Sequence, residues 1–301
     1  MSADRSTSSL PSMNHPAYAV ITPARDEEEF IEDVIQPMRD QTHPPRVWVI
    51  VDDGSTDRTG EILDAAAAEL PWLRVVHRED RGFRAAGGGV MEAFYAGIEA
   101  IADVEWDFLV KLDGDLEIPS DYFERCLKHF RRDETLGVGG GVIKNRIDGQ
   151  LVLERHPKFH VRGATKIYRK KCWEDIGGLI VAPGWDTLDE VKANHLGWTS
   201  RSFDELVLVQ NRFTGDAAGQ FRNWVKNGRA AYISGYHPIF LMAKAGFRAF
   251  RRPYLKATFG LFWGYFGAPF AGVERAADRE LTRFVRTQQM RKLTGRSSIW
   301  S

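Results

Sequence analysis

Two carboxylates one residue apart, Asp113 and Asp115, are the side chains in this sequence best placed to do chemistry. They follow the stretch Trp106 to Leu112, which is apolar except for Asp107 and Lys111 and reads as a mostly buried strand. In an extended segment residues i and i+2 point the same way. Both carboxylates therefore face whatever lies at the strand's end, and Gly114 leaves room for a ligand or metal to approach the backbone. Two convergent carboxylates with no adjacent cation suit a hard divalent metal, Mg2+ or Mn2+, which keeps positions open for substrate phosphates. Asp-Gly-Asp is also good turn chemistry. On these three residues alone the metal and turn readings stand side by side.

The elements that position this pair lie on both sides of it. Tyr18 to Thr22 reads as a first strand, broken by Pro23-Ala24-Arg25-Asp26. A helix follows with Phe30, Ile31, Val34, Ile35 and Met38 on one face, and Pro37 is expected to kink or end it. Val47 to Val51 is a second strand, ending in Asp52-Asp53-Gly54-Ser55, with Ser55 or Asp57 as cap for the next helix. Leu73 to Val76 is a third strand. The basic, glycine-rich loop from Arg78 to Gly89 after it suits either a phosphate or close helix packing. Asp121 and Glu124 are spaced as a capping box, and Gly137 to Ile143 reads as a further strand. Alternating strands and helices through residue 143 argue for a parallel α/β sheet. The acidic clusters fall at the C-terminal ends of strands, where such sheets bind ligands.

The chain of 301 residues has 41 basic and 41 acidic side chains, so net charge gives no reason to expect a nucleic-acid partner. Two cysteines without CxxC spacing argue against structural zinc and fit a reducing compartment. The first 16 residues, polar and Ser-rich over most of their length, are expected to be a disordered tail rather than a signal peptide.

The ordered set Val20-Ile21-Thr22-Pro23-Ala24-Arg25-Asp26-Glu27, Val49-Ile50-Val51-Asp52-Asp53-Gly54-Ser55-Thr56-Asp57 and Leu112-Asp113-Gly114-Asp115 resembles the family 2 glycosyltransferases over roughly the first two-thirds of the chain. Gly163 to Lys170 resembles the family's segment before the acceptor site, and Trp185-Asp186-Thr187 up to Gly197-Trp198 its "ED" region, with Trp185 in place of the usual Glu. Gln220 to Trp224 is a loose echo of the QxxRW motif. The resemblance implies a GT-A fold, with a doubly wound, mostly parallel α/β sheet flanked by helices, and inverting transfer of a sugar from a nucleotide diphosphate to a saccharide or lipid-linked hydroxyl, in cell-surface polysaccharide or glycolipid synthesis. It places Thr22, Pro23, Ala24 and Glu27 around the nucleoside, Asp53 at the base edge, Asp115 on the metal, and Asp113 on the ribose or, through water, on the metal. Asp186 matches the catalytic base, with Asp189 and Glu190 as competitors. Arg84 and Arg222 are candidates to steady the diphosphate, or are solvated surface charge. The implied division is a catalytic domain over 17–230, with a nucleotide-sugar half (17–118) and an acceptor half (119–230), and a helical aromatic and basic extension over 231–301.

In that extension the uncharged run Ala257 to Val273 would be about 26 Å long as a helix, short of a confident span. Aromatics with Lys244, Arg248, Arg251, Arg252 and Lys256 beside them leave three readings: an interfacial segment, a packed subdomain over the acceptor site, or a span. The first makes the protein cytoplasmic and peripheral on the inner face of the cell membrane. A sugar nucleotidyltransferase would need a glycine-rich loop straight after the first strand, where Pro23-Ala24-Arg25-Asp26 stands. A non-catalytic nucleotide-sugar-binding module is expected to have lost one of the acidic residues, and all are present.

Overall fold

A computed structural model describes residues 16–80, 88–147, 149–211, 220–249 and 255–301. The strands are β1 (Tyr18–Ala24), β2 (Val47–Asp52), β3 (Leu73–His77), β4 (Phe108–Leu112), β5 (Leu116–Glu117), β6 (Leu136–Ile147), β7 (Gln150–Leu153), β8 (Thr165–Arg169) and β9 (Thr199–Gln210). The helices are α1 (Ile31–Arg39), α2 (Thr59–Glu69), α3 (Gly88–Glu99), α4 (Tyr122–Arg132), α5 (Lys170–Ile176), α6 (Trp185–His195), α7 (Gln220–Ile233), α8 (Pro238–Ala249), α9 (Leu255–Gly267) and α10 (Arg279–Leu293).

One sheet runs in the order β3-β2-β1-β4-β8-β6-β9-β5, with β7 paired to β6. The first four strands are parallel, and β2 and β3 lie on one side of β1 while β4 lies on the other. That reversal of direction opens a crevice at the C-terminal ends of β1 and β4, the usual ligand position in such sheets. All residues of β2 and β4 are buried, as expected for strands covered on both faces. The second half departs from the simple parallel expectation. β8 is antiparallel to both β4 and β6, and β6 is parallel to β9. The antiparallel β4/β8 pair sets Leu112 opposite Thr165, so the chain just before β8 runs beside Asp113.

Some local expectations fail for identifiable reasons. Pro37 lies inside α1, which ends two residues later at Arg39 rather than at the proline itself. Ser55 does not cap α2, because its hydroxyl accepts from the Asp26 N–H at 3.0 Å; Asp57 takes the Thr59 N–H at 2.9 Å. The Asp121/Glu124 capping box does not form. Asp121 makes no cap bond, and Glu124 is drawn to Thr42 (2.8 Å) and Lys128 (2.7 Å). The expected N-terminal tail falls on residues 1–16, of which 1–15 lie outside the described residues.

Beyond the sheet, the run from Ala257 to Val273 is not one helix: α9 ends at Gly267 and a 3-10 turn, Pro269–Ala271, follows. Among the described residues no helix is long and apolar enough to cross a membrane. Leu241, Tyr265, Leu281 and Val285 form a core with Phe159, Leu188 and Val191 of the sheet domain. α7 and α9 pack backbone to backbone. A Cβ at Gly264 would stand 2.0 Å from the Val225 carbonyl oxygen, and one at Gly228 would stand 2.3 Å from that of Leu261.

Candidate active site

β4 delivers Asp113 and Asp115 to the crevice, but not as an isolated acidic pair. Lys111 is buried, and its ammonium is hydrogen-bonded to Asp113 Oδ1. The expectation of no adjacent cation is therefore wrong. The same period-2 alternation that aligns the two aspartates aligns Lys111 with them. Gly114 serves packing: a Cβ there would press on Ile31 Cδ1 at 3.2 Å and approach Thr22 Cγ2 at 3.7 Å.

Asp115 is 6% exposed and forms no ion pair among the described residues. Burial, then the charge of Asp113, push its carboxyl up to about 7; Gln210 pulls it back and Glu27 adds to the rise. Gln210, at the end of β9, donates Nε2 to both Asp115 oxygens at 3.1 and 3.3 Å. Its own Oε1 is buried with no hydrogen-bond partner. Two carboxylates beside an orphaned amide oxygen are an oxygen donor set suited to Mg2+ or Mn2+. Among the described residues no three His, Cys, Asp or Glu side chains converge on a ready-made site. The set is thus incomplete without ligand oxygens, as is usual where a metal also holds phosphates.

At the end of β2, Asp53 accepts from Arg78 Nη1 at 2.6 Å, and its carbonyl accepts from Arg25 Nη1 at 2.7 Å. Arg25 Nη2 also reaches Asp80 at 2.6 Å. These bonds fix the β1 and β2 ends against each other. Thr22 is fully buried and its hydroxyl takes the Trp48 indole N–H at 2.9 Å, so that side chain is structural. Pro23 and Ala24 lie in β1, paired with Val51 and Asp52. Glu27 is buried beyond β1, and its amide donates to Thr59 Oγ1 at 2.8 Å.

The second carboxylate group comes from α6. Asp189 and Glu190 are almost completely buried, and Lys166 of β8, also fully buried, holds both. Its Nζ is 2.8 and 2.9 Å from the Asp189 oxygens and 2.9 Å from Glu190 Oε1. Tyr168 donates to Asp189 at 2.5 Å, His160 Nδ1 lies 2.8 Å from Glu190 Oε2, and the Val161 N–H reaches Oε1 at 2.6 Å. Burial raises the Asp189 carboxyl to about 6, with the Lys166 ammonium opposing the rise. Burial lowers the His160 pKa, but the Glu190 charge outweighs this and the net shift is upward.

Asp186 sits in the first turn of α6, only partly buried, and its carboxylate accepts from its own backbone N–H and from no other group among the described residues. Burial pushes its pKa up, but His160, Lys166 and Arg162 outweigh that and the net shift is downward. Two contacts bring it to the β4 pair. The Asp113 N–H donates to the Ala164 carbonyl at 2.8 Å, and a Cβ on the preceding Gly163 would lie 3.2 Å from Asp186 Cβ. Trp185 fills the space between, its ring 5.4 Å from Lys111 Nζ and 5.6 Å from Lys166 Nζ. On its other side Gly184 abuts Ala230 of α7, with a built Cβ 3.1 Å from Ala230 Cβ.

The family resemblance is settled by direct comparison. Residues 19–181 match the family described as Glycosyl transferase family 2. The chain belongs to glycosyltransferase family 2. Its sheet and flanking helices have the GT-A architecture. The chain is similar to the beta-monoglucosyldiacylglycerol synthase of Synechocystis sp., at 33% identity over 121 residues, which are 38% of this chain and 23% of that protein. Among solved structures it resembles the Pyrobaculum calidifontis mannosyltransferase PcManGT in complex with GDP-Man and Mn2+. That match has a TM-score of 0.54 and 17% identity, covering 95% of this chain and 77% of that one. It also resembles S. aureus TarS 1-349 in complex with UDP-GlcNAc, with a TM-score of 0.53 and 16% identity, covering 85% and 73%. At these identities the structural likeness shows the fold. The family match ends before α6, so Asp186 lies beyond it.

Not every expected site residue of this glycosyltransferase is in the cluster. Arg84 lies outside the described residues. Arg222 is exposed near the start of α7 and forms no ion pair among the described residues. Sequence reasoning missed Lys111, Lys166, His160 and Gln210. Lys111 was legible from the i, i+2 rule. The other three meet their carboxylates only through the sheet topology.

Proposed function

We propose that this chain is an inverting, divalent-metal-dependent glycosyltransferase, moving a sugar from a nucleotide diphosphate to a hydroxyl of a saccharide or lipid-linked acceptor. The observation that carries this reading is the division of labour among the carboxylates around Gly163-Ala164. Asp189 and Glu190 are consumed by Lys166, Tyr168 and His160, whereas Asp186, near the Asp113/Asp115 pair, takes no side-chain donor among the described residues.

Asp115 and Asp113, with Gln210 Oε1, would hold Mg2+ or Mn2+. The cation would supply Lewis-acid neutralisation of the charge that develops on the departing diphosphate. Lys111 neutralises Asp113 from the protein side. Asp186 takes the proton of the acceptor hydroxyl as its oxygen bonds to the anomeric carbon and the bond from that carbon to the diphosphate breaks. One base acting in line gives inversion. The net downward shift of Asp186 keeps it ionised, ready to accept, well below neutral pH. Asp53, with Pro23, Ala24 and Glu27, is assigned to the nucleoside side of the crevice, where β1 and β2 end.

The acceptor assignment extends to cell-surface polysaccharide or glycolipid synthesis, with the protein cytoplasmic and peripheral on the inner face of the membrane. A glycolipid synthase among its relatives and an exposed aromatic face on α9 support it. The test is donor hydrolysis by purified protein across UDP-, GDP- and dTDP-sugars with Mn2+ or Mg2+. Metal-dependent release of one nucleoside diphosphate is the expected result. No hydrolysis across the panel, or undiminished hydrolysis in excess chelator, overturns it.

A further inference from the structure

The C-terminal helices carry two surfaces that the transfer reaction does not use. On α9, Leu255, Phe259, Trp263 and Phe266 follow one another at helical spacing and are 59, 63, 72 and 46% exposed. Phe270, in the turn beyond, is 93% exposed. Large side chains exposed in a contiguous stripe mark an interaction face. The second surface is a cleft of about 1000 Å³ along α10, lined by Arg275, Arg279, Arg283, Arg286, Arg291 and Arg296. None of these six forms an ion pair among the described residues. The one carboxylate lining the cleft, Asp278, is occupied in capping α10 through the Leu281 N–H at 2.8 Å. Arg286 already donates Nε to the Gly235 carbonyl at 3.2 Å; guanidinium groups that lack a carboxylate partner suit an external anion.

The two surfaces adjoin along the chain: residues 270 to 275, which join them, are all exposed or half-buried. Arg275 stacks over the Tyr232 ring at 4.8 Å. Aromatics that favour the interface beside cations that favour phosphate are the two halves of a peripheral membrane contact.

We propose that the α9 stripe and the α10 arginine cleft form one docking face for an anionic phospholipid surface, the rings entering the interface while the arginines take headgroup phosphates. This deepens, and rests on, the reading of the chain as a peripheral transferase.

The test is flotation of the full chain with phosphatidylglycerol-containing vesicles and with pure phosphatidylcholine vesicles, at low and high salt, with donor hydrolysis measured on the same samples. Wild type should float with the anionic vesicles, far less with the zwitterionic ones, and lose most binding in high salt. The combined variant Arg275→Gln, Arg279→Gln, Arg283→Gln should bind anionic vesicles on the order of 100-fold more weakly, at roughly fivefold per arginine. Trp263→Ser with Phe270→Ser should remove the binding that survives salt. All these positions are exposed, so the melting temperature should hold, and Arg279→Lys should float as wild type does. Calorimetry with inorganic phosphate separates the sources. Weak binding of phosphate alone supports the lipid assignment; tight phosphate binding that abolishes flotation shows a soluble anion's site and overturns it. Failure of wild type to float, or a triple variant that floats unchanged, also overturns it. Wild type that hydrolyses donor but does not float sinks the docking face alone, whereas wild type that floats without hydrolysing donor sinks the transferase reading alone.

Discussion

The carboxylates at the end of β4 and those of α6 are the same chemical groups at similar depth, treated in opposite ways. Asp189 and Glu190 receive an ammonium, a phenol, an imidazole and a backbone N–H, and nothing further is needed to hold them. Asp115 receives one amide, lies beside a second carboxylate, and is pushed up to about 7. The first group is closed and structural. The second is short of positive charge and is built around something the chain does not supply. Burial of acid alone therefore does not mark a site; unanswered burial does.

The sharpest way to break this contrast is to empty the open group. Asp115→Ala should lower transfer by on the order of 10³-fold or more, the equivalent of several kcal/mol of charge stabilisation. Calorimetric titration of Mn2+ in the presence of nucleotide should lose its signal. An active variant would mean the β4 pair is a turn after all. Asp186→Asn should lower kcat by about 10²–10⁴-fold and leave the donor isotherm unchanged. The same loss from Asp189→Asn without unfolding would move the base into the closed group.

The closed group should answer in stability instead. Lys166→Met leaves two carboxylates buried without their cation, and chemical denaturation should show a loss of about 3–5 kcal/mol. The smallest effect concerns His160, which faces Glu190, Lys166, Asp186 and the His156 ring. Its pKa is raised above the ordinary 6.5, so its pairing with Glu190 contributes stability below pH 6.5 and loses it as the pH rises through the higher folded value. His160→Gln should flatten that alkaline decline in melting temperature. It also removes the largest charge holding Asp186 down, so the acid limb of the kcat/KM profile should move to higher pH. A limb that stays put would assign it to another group.

Much of the nucleotide half was legible because its signals are local. β2 and β4 are apolar runs leading into acid, and the period-2 rule aligned Asp113 with Asp115. The same rule applied to Lys111 would have revealed the pair with Asp113. Lys166, His160 and Gln210 were not legible. Lys166 lies on an antiparallel strand 23 residues from Asp189, and Gln210 lies 95 residues from Asp115. No local pattern encodes a meeting across a sheet whose strand order departs from chain order. The expected capping box failed because Thr42 and Lys128 outcompeted the backbone for Glu124.

The glycine contact between α7 and α9 has a mechanical consequence. With no side chains between the backbones, these helices cannot slide or tilt independently, and α7 in turn abuts Gly184, two residues before Asp186. They form a strut of fixed length. With α9 lying on a lipid surface, the strut sets the height of the proposed base above that plane. Selection among acceptors would be made by a ruler, before any pocket recognises the sugar itself.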